Sequence, residues 1–261
     1  MLLIDDTFCG DPAPRWRRHG IGGGQVLTTD AGLRLQIGPA SARSYANAQI
    51  DDYHGLPRAH FPWQPPLTLT VQARFSHPPG QLRGTAGFGL WNDPFGMTGS
   101  RPLSLPRALW FFFNSADAPL QLARDTAGYG WRAAQIDAWR LPFLTLAPLA
   151  PLAMPLMRWR WLYTRCWPLA QWALGIHENT LPIDITGWHT YQLHWGVNRT
   201  SFAVDDQIVL TSNTSPHGPL GLVLWIDNQG MVVLPWALPR HRLFLVNHEQ
   251  WLDLGWVTIT T

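Results

Sequence analysis

The chain contains no lysine: all 19 of its basic residues are arginine. Glutamate is nearly missing too, with Glu178 and Glu249 the only two among 17 acids. Charged residues make up 14% of the 261 positions and leave a formal net charge of +2. So small a balance, with no basic run interleaved with stacking aromatics, argues against a nucleic-acid partner. Scattered arginines pair with carboxylates or stay solvated. Cysteine is confined to Cys9 and Cys166, too few for a disulfide framework, and both read as small apolar residues. No serine or cysteine sits in a nucleophile elbow. Gly22-Gly23-Gly24 precedes a strand rather than a helix, which excludes a phosphate loop. The histidines are dispersed, with His54 and His60 in a loop, and no spacing resembles a zinc site, so their pattern predicts no metal or other cofactor. A long intact apolar run is also lacking. Leu141 to Leu156 is apolar, but Pro142, Pro148, Pro151 and Pro155 forbid the continuous helix of about 20 residues that a membrane span needs. The start, MLLIDDTF, has no basic region, long apolar core or small-residue cleavage site, so it reads as a first strand and the expected location is the cytoplasm.

What the chain has in excess is tryptophan, 16 residues, set among strand-like segments. LTLTVQARFS, residues 67–76, alternates with Leu67, Leu69, Val71, Ala73 and Phe75 on one face. Residues 188–229 carry WHTYQLHW, TSFAV, QIVLT and LGLVLWID, with Asp205-Asp206 as a two-residue hairpin connection, because Asp tolerates left-handed backbone. RGTAGFGLWND, residues 83–93, is a strand whose glycines admit close approach of backbone or ligand. RALWFFFNS, residues 107–115, is apolar throughout its middle, as a central strand is. Further strands are expected near 25–29, 33–37, 45–50, 128–137 and 252–260, with loops at 11–24 and 94–106. Together they predict an all-β fold: one domain over 1–261, an antiparallel two-sheet β-sandwich. Only 139–176 departs. There MRWRWLYTRCW puts residues 159, 162, 163 and 166 on one helical face, and Pro168 starts a second short helix. This Pro/Trp-rich insertion is expected to pack onto the sandwich. Its Arg158, Arg160 and Arg165, beside Trp159, Trp161 and Trp167, also suit a membrane interface.

Three places resemble the concanavalin-A-like jelly rolls, in particular the family 16 glycoside hydrolases. LTLTVQARFS followed by GTAGFGLWND is similar to that family's paired strands ending in an aromatic-lined cleft. WHTYQLHW followed by TSFAVDDQIV resembles its late hairpin, and DDTF its first strand. The resemblance covers most of the chain outside 139–176. It implies a cleft on one sheet and, for activity, two glutamates on one strand with an aspartate between them. The strand that should match, 107–115, contains no acid, and Glu178 and Glu249 are too far apart in sequence to share a strand. The resemblance therefore implies the fold without that hydrolytic pair. It also implies a calcium site, for which Asp5, Asp6 and Asp253 are the candidates.

Side chains two apart on a strand share a face. Trp91 and Asp93 do so, as do Trp110, Phe112 and Asn114, then Trp131, Gln135 and Asp137, then Trp225 and Asp227, which Asn228 and Gln229 follow. If these faces line the concave sheet, they form an aromatic floor edged by hydrogen-bonding groups, which suits sugar rings. The ligand-binding candidates are therefore Trp91, Asp93, Trp110, Asn114, Trp131, Gln135, Asp137, Trp225, Asp227 and Asn228. Asp93, Asp137 and Asp227 are also the candidates for acid–base chemistry. The competing reading makes the tryptophans core and the acids and amides turn formers. The expected function is non-hydrolytic carbohydrate binding. An aspartate-based glycan-active enzyme and a membrane-peripheral or structural protein acting through 139–176 are the alternatives.

Overall fold

The computed structural model describes residues 1–10, 13–96 and 102–261; the parts of the expected loops at 11–12 and 97–101 lie outside it. In chain order the strands begin with β1 (Leu2–Asp6), β2 (Arg17–Ile21), β3 (Gln25–Thr29), β4 (Gly32–Ile37), β5 (Asn47–Asp51) and β6 (Leu67–Phe75). Then come β7 (Thr85–Trp91), β8 (Arg107–Asn114) and β9 (Gly130–Asp137), followed by helices α1 (Leu141–Leu146), α2 (Ala150–Leu156) and α3 (Arg160–Ala173). The remainder is β10 (His177–Thr180), β11 (His189–Trp195), β12 (Thr200–Val204), β13 (Gln207–Ser212), β14 (Gly221–Asp227), β15 (Gln229–Leu234), β16 (Ala237–Leu243) and β17 (Gln250–Thr260).

Two antiparallel sheets result. One runs β13-β12-β11-β6-β17-β4-β3, with β1 also pairing β17; the other runs β10-β9-β8-β7-β14-β5-β2. β6 alternates buried and half-buried residues along its whole length, as its sequence predicts. Asp205 and Asp206 both take positive φ, 47° and 64°, and join β12 to β13 by the expected two-residue turn. The space between the sheets is filled from both sides, by residues such as Leu69, Val71 and Phe75 and, opposite, Phe88, Leu109, Phe111, Leu222 and Leu224.

β7, β8 and β9 are buried on both faces apart from their first residues, and β14 is buried throughout. Their second face is covered by the β15–β16 hairpin and the loops around it, which enclose a cavity against this sheet. Two expectations fail at its edges. β2 lies inside the stretch read as loop, and β10 follows the insertion where no strand was expected; both are short edge strands rich in polar residues, and so carry no apolar alternation. The insertion is helical as expected, but α3 runs unbroken through Pro168. The carbonyl of Thr164, which a residue other than proline at 168 would satisfy, accepts from Arg124 Nη1 instead at 3.4 Å.

Trp131 stands in the inter-sheet core, 4.9 Å from Phe75, 5.8 Å from Phe88 and 5.5 Å from Tyr191 between ring centroids. Replacing it with alanine leaves a cavity that these rigid rings cannot close. Trp131→Ala is expected to lower unfolding free energy by about 3–5 kcal/mol, measured by urea denaturation. A loss below about 1 kcal/mol contradicts this placement.

Candidate functional site

Register across the second sheet orders the residues of its outer face into rows. Asp227, Thr85 and Asn114 form one row; Trp225, Gly87, Phe112 and Arg132 the next; Val223, Gly89, Trp110 and Ala134 the third; Gly221, Trp91, Ala108 and Ile136 the fourth. The two glycines matter because β7 passes between rows of rings. A Cβ on Gly87 would lie 2.3 Å from the Phe111 carbonyl oxygen, and one on Gly89 would lie 2.2 Å from that of Leu109 and 2.8 Å from the Trp110 Cβ. With those positions bare, Trp91 and Trp225 lie parallel across the strand pair, centroids 6.1 Å apart at 3°, and Trp110 meets Trp91 edge-on at 6.2 Å.

Above this floor is a pocket of about 600 Å³. Trp91, Trp110, Phe112, Ile136 and Trp225 form its floor. Phe95, Leu103, Pro106, Leu120 and Leu122, with Met231, Val233 and Pro239 of the hairpin, complete an almost wholly apolar wall. Its polar side chains are Tyr45, Thr85, Asn114, Gln229 and His241. Three of these five, Tyr45, Gln229 and His241, are joined directly, and Thr85 joins them through Asp227. Gln229 bridges the Tyr45 hydroxyl at 3.4 Å and His241 at 2.9 Å, and Thr85 Oγ1 accepts from Trp225 Nε1 at 3.0 Å. Trp91 Nε1 donates to the Tyr53 hydroxyl at 2.8 Å. Trp110 Nε1 is buried and has no partner among the described residues. Such a donor costs about 1–3 kcal/mol unless something accepts from it, and it belongs to a residue of the pocket floor.

Behind the polar chain sits Asp227, fully buried. It accepts from Thr85 Oγ1 at 2.7 Å, from the Thr85 and Gln229 amides and from the Tyr45 hydroxyl. Burial is the first cause of its raised pKa, which moves from 3.8 to about 7 despite those hydrogen bonds. Burial and the neighbouring Asp227 carboxylate hold the Tyr45 phenol well above its ordinary value. On the far flank Arg132, fully buried, bonds Glu178, Asn114 and the Leu120 carbonyl, with its guanidinium 4.3 Å from the centre of the Phe112 ring. Desolvation lowers the Arg132 pKa, and Glu178 opposes that.

Of the ten expected site residues, Trp91, Trp110, Asn114 and Trp225 line this one pocket, and Asp227 lies directly behind its wall. The other five do not join them. Trp131, Gln135 and Asp137 do share a face, but it is the face between the sheets. There Gln135 Nε2 donates to Ser212 and Thr214, and Asp137 pairs with Arg107 at 3.0 Å and accepts from the Trp139 amide. Asp93 follows β7 in a left-handed turn, φ 47°, and its carbonyl accepts from Arg58. Asn228 ties three segments by bonding the Ala46 amide and the Ser44 and Phe244 carbonyls. Glu178 is a residue of β10 with a fully buried carboxylate. Two of the three calcium candidates have protein partners. Asp253 is held by Arg34 and Arg74, and Asp6 accepts from Trp16 Nε1 and the Phe8 amide.

Thr85 was open to discovery from sequence, since it shares parity with Trp91. His241, Met231 and Val233 were not, because the hairpin carrying them shows no clean alternation. Glu178 and Asp227 lie four strands apart in the sheet order, roughly 19 Å at ~4.8 Å per strand. A glycosidase pair stands about 5–9.5 Å apart.

No family model matches the chain, and no curated protein does. Solved structures share its fold. A glycoside hydrolase family protein from Mycobacterium thermorestibile superposes with a TM-score of 0.55 at 13% identity, covering 99% of this chain and 100% of that one. A laminarinase from a Flavobacterium species gives 0.52 at 10%, with full coverage of both. A GlcNAcα1-4Gal-releasing endo-β-galactosidase from Clostridium perfringens gives 0.52 at 14%; 99% of this chain matches but only 62% of that enzyme. At these identities the likeness establishes the β-sandwich jelly roll alone.

The state of Asp227 has a measurable consequence. Its folded pKa of about 7 lies above its unfolded value of 3.8, so between those two pH values the folded chain keeps a proton that the unfolded chain releases. The resulting stability is whole below pH 4, declines as pH rises towards 7 and is flat above, a fall of roughly 4 kcal/mol at about 1.4 kcal/mol per pH unit. Asp227→Asn should flatten guanidinium-unfolding free energies over this window. An unchanged pH slope contradicts the assignment.

Proposed function

We propose that the protein binds a carbohydrate-containing ligand in the tryptophan-floored pocket and does not hydrolyse it. One observation carries this reading: the outer-face positions of β8 present Trp110, Phe112 and Asn114, where the resemblance would place acids, and no carboxylate is among the described lining residues. The aromatic floor offers flat apolar faces for sugar C–H groups. The unpartnered Trp110 N–H, with the Tyr45, Thr85, Gln229 and His241 side chains, offers the hydrogen bonds that fix hydroxyls.

The wall narrows the ligand further. A bare oligosaccharide would press hydroxyls against Leu103, Pro106, Leu120, Leu122, Met231 and Val233, each unpaired hydroxyl costing about 1–3 kcal/mol. A sugar carrying an apolar aglycone satisfies both ends. Titration calorimetry with octyl glycosides, the matching free sugars and octanol tests this. The octyl glycoside should bind more tightly than either part, and Trp110→Ala should weaken it at least tenfold, about 1.4 kcal/mol. Failure of every glycoside to bind overturns the reading. The aspartate-enzyme alternative rests on Asp227 alone, whose proton is exchangeable near neutral pH and whose partners Tyr45 and Thr85 line the pocket. Turnover of an aryl glycoside that Asp227→Asn abolishes would favour it.

A second reading concerns the insertion, because its packing is one-sided. It meets the domain through Met157 and Ala173, through Trp167 Nε1 on the Leu122 carbonyl, and through Tyr163 against Trp236 at the hairpin tip. Leu141, Leu149, Leu152, Leu156, Trp159, Trp161, Leu169 and Trp172 remain exposed. Residues 139–176 include four arginines and no acid. The pocket rim continues this surface with exposed Phe95 and Leu103. Such a face suits the interface of an anionic bilayer, where an apolar aglycone resides. No helix among the described residues is long and apolar enough to cross a membrane. Flotation with phosphatidylglycerol vesicles should carry the protein, and phosphatidylcholine vesicles should not. Replacing Arg158, Arg160 and Arg165 with glutamine should cost about 3 kcal/mol, near a hundredfold, at ~1 kcal/mol per charge. Flotation unaffected by that change, or none at all, rejects the reading.

A further inference from the structure

At the other edge of the same sheet, away from the pocket lining, three potential metal ligands converge. His19 comes from the edge strand β2, Asp51 from the end of β5 and His54 from the turn that follows. Their donor atoms all lie within 4.8 Å of one another. Among the described residues no other group of three or more such side chains does this. His19 and Asp51 meet because they lie diagonally on neighbouring strands: His19 pairs with Gln49 and Arg17 with Asp51.

The contacts within the cluster are not those of an ordinary His–Asp pair. His19 Nε2 lies 2.9 Å from Asp51 Oδ2 yet makes no hydrogen bond, so distance is met and direction is not. Asp51 is fully buried; its Oδ2 accepts from Gln49 Nε2 at 3.0 Å, while its Oδ1 has no partner among the described residues. The Gln49 Oε1, also fully buried, has none either. Buried oxygens without donors cost free energy, and a cation relieves them. The His19 and His54 rings stand 4.8 Å apart between centroids, tilted at 53°. Ligands around a tetrahedral zinc at its usual ~2.1 Å bond lengths are about 3.4 Å apart, inside the spread of these donors.

We propose that His19, Asp51 and His54 form a mononuclear site for a borderline divalent cation of the zinc type. Two neutral imidazoles and one carboxylate are a donor set that such ions favour over calcium or magnesium, which take oxygen-rich shells. Both histidines are part-exposed, which gives the ion a route in and leaves a fourth position open to water. The ion fastens β2, a polar edge strand, to β5. The histidine spacing in sequence conceals the site, because 35 residues separate His19 from His54 and the sheet alone brings them together.

Tag-free protein, stripped with chelator and titrated with Zn²⁺ or Co²⁺, is expected to take up one ion with micromolar or tighter affinity. Co²⁺ should give the visible absorption of a low-coordinate nitrogen–oxygen site. His19→Ala and His54→Ala should each weaken uptake at least a hundredfold and remove the rise in melting temperature that saturating Zn²⁺ produces in the wild type. His60→Ala, a histidine of the Arg58–His60 turn outside the cluster, should change nothing. Asp51→Asn extends the test but is buried; the part-exposed histidines keep it decisive if that variant does not fold. No stoichiometric uptake, or uptake that survives both histidine variants, overturns the proposal.

Discussion

The central strands of the pocket-bearing sheet bury both of their faces, and the rest of the structure follows from that constraint. One face of β7, β8 and β14 must match the opposing sheet, and the other must match a cavity. The first set is aliphatic and phenyl: Phe88, Leu90, Leu109, Phe111, Leu222 and Leu224. The second is indole-rich and shaped by Gly87 and Gly89, which leave no Cβ where the Phe111 and Leu109 carbonyls and Trp110 press against β7. A side chain at either glycine would separate the strands or displace the rings. The stacking of Trp91 on Trp225 thus depends on backbone spacing before it depends on any attraction between rings.

That double burial is also why the fold was easier to read from sequence than the site. β6, with one wet face, announced its orientation by alternation, and Asp205-Asp206 announced a turn by backbone preference. β9 announced neither. Trp131, Ala133 and Ile136 are all apolar, so its parity is ambiguous: the alternation points Trp131, Gln135 and Asp137 at the cavity, and the structure turns that face to the other sheet. Pairing decides the matter: Trp131 stands opposite Phe113 and Arg132 opposite Phe112. For Trp91, Trp110 and Trp225 the alternation was sufficient because Gly87 and Gly89 mark the same face. Tyr45 and the hairpin residues arrive by tertiary folding and left no local trace.

Buried polar groups are distributed with equal economy. Asp227 has no positive partner among the described residues, and burial raises its pKa to about 7 against the pull of its hydroxyl and amide donors. Glu178, on the opposite flank, meets Arg132 and carries its charge into the interior through that guanidinium, which also spans Asn114 and the Leu120 carbonyl. Both acids brace pocket walls from behind. Four strands apart, these two carboxylates do not together flank one glycosidic bond, and neither lines the cavity.

The insertion and the pocket belong to one surface. Trp167 reaches the Leu122 carbonyl, Tyr163 meets Trp236 at the hairpin tip, and Trp139 Nε1 donates to the Leu105 carbonyl beside the rim. The insertion therefore touches each of three segments that close the cavity: α3 meets the 120–122 loop and the hairpin, and Trp139, ahead of α1, meets the 102–106 loop. A domain that needed the insertion only as a cover would turn its leucines and tryptophans inward. Here they face outward next to the mouth of an apolar cavity, with arginines among them. A ligand with an apolar tail, partitioned into a bilayer against that face, would reach the tryptophan floor without its tail crossing water.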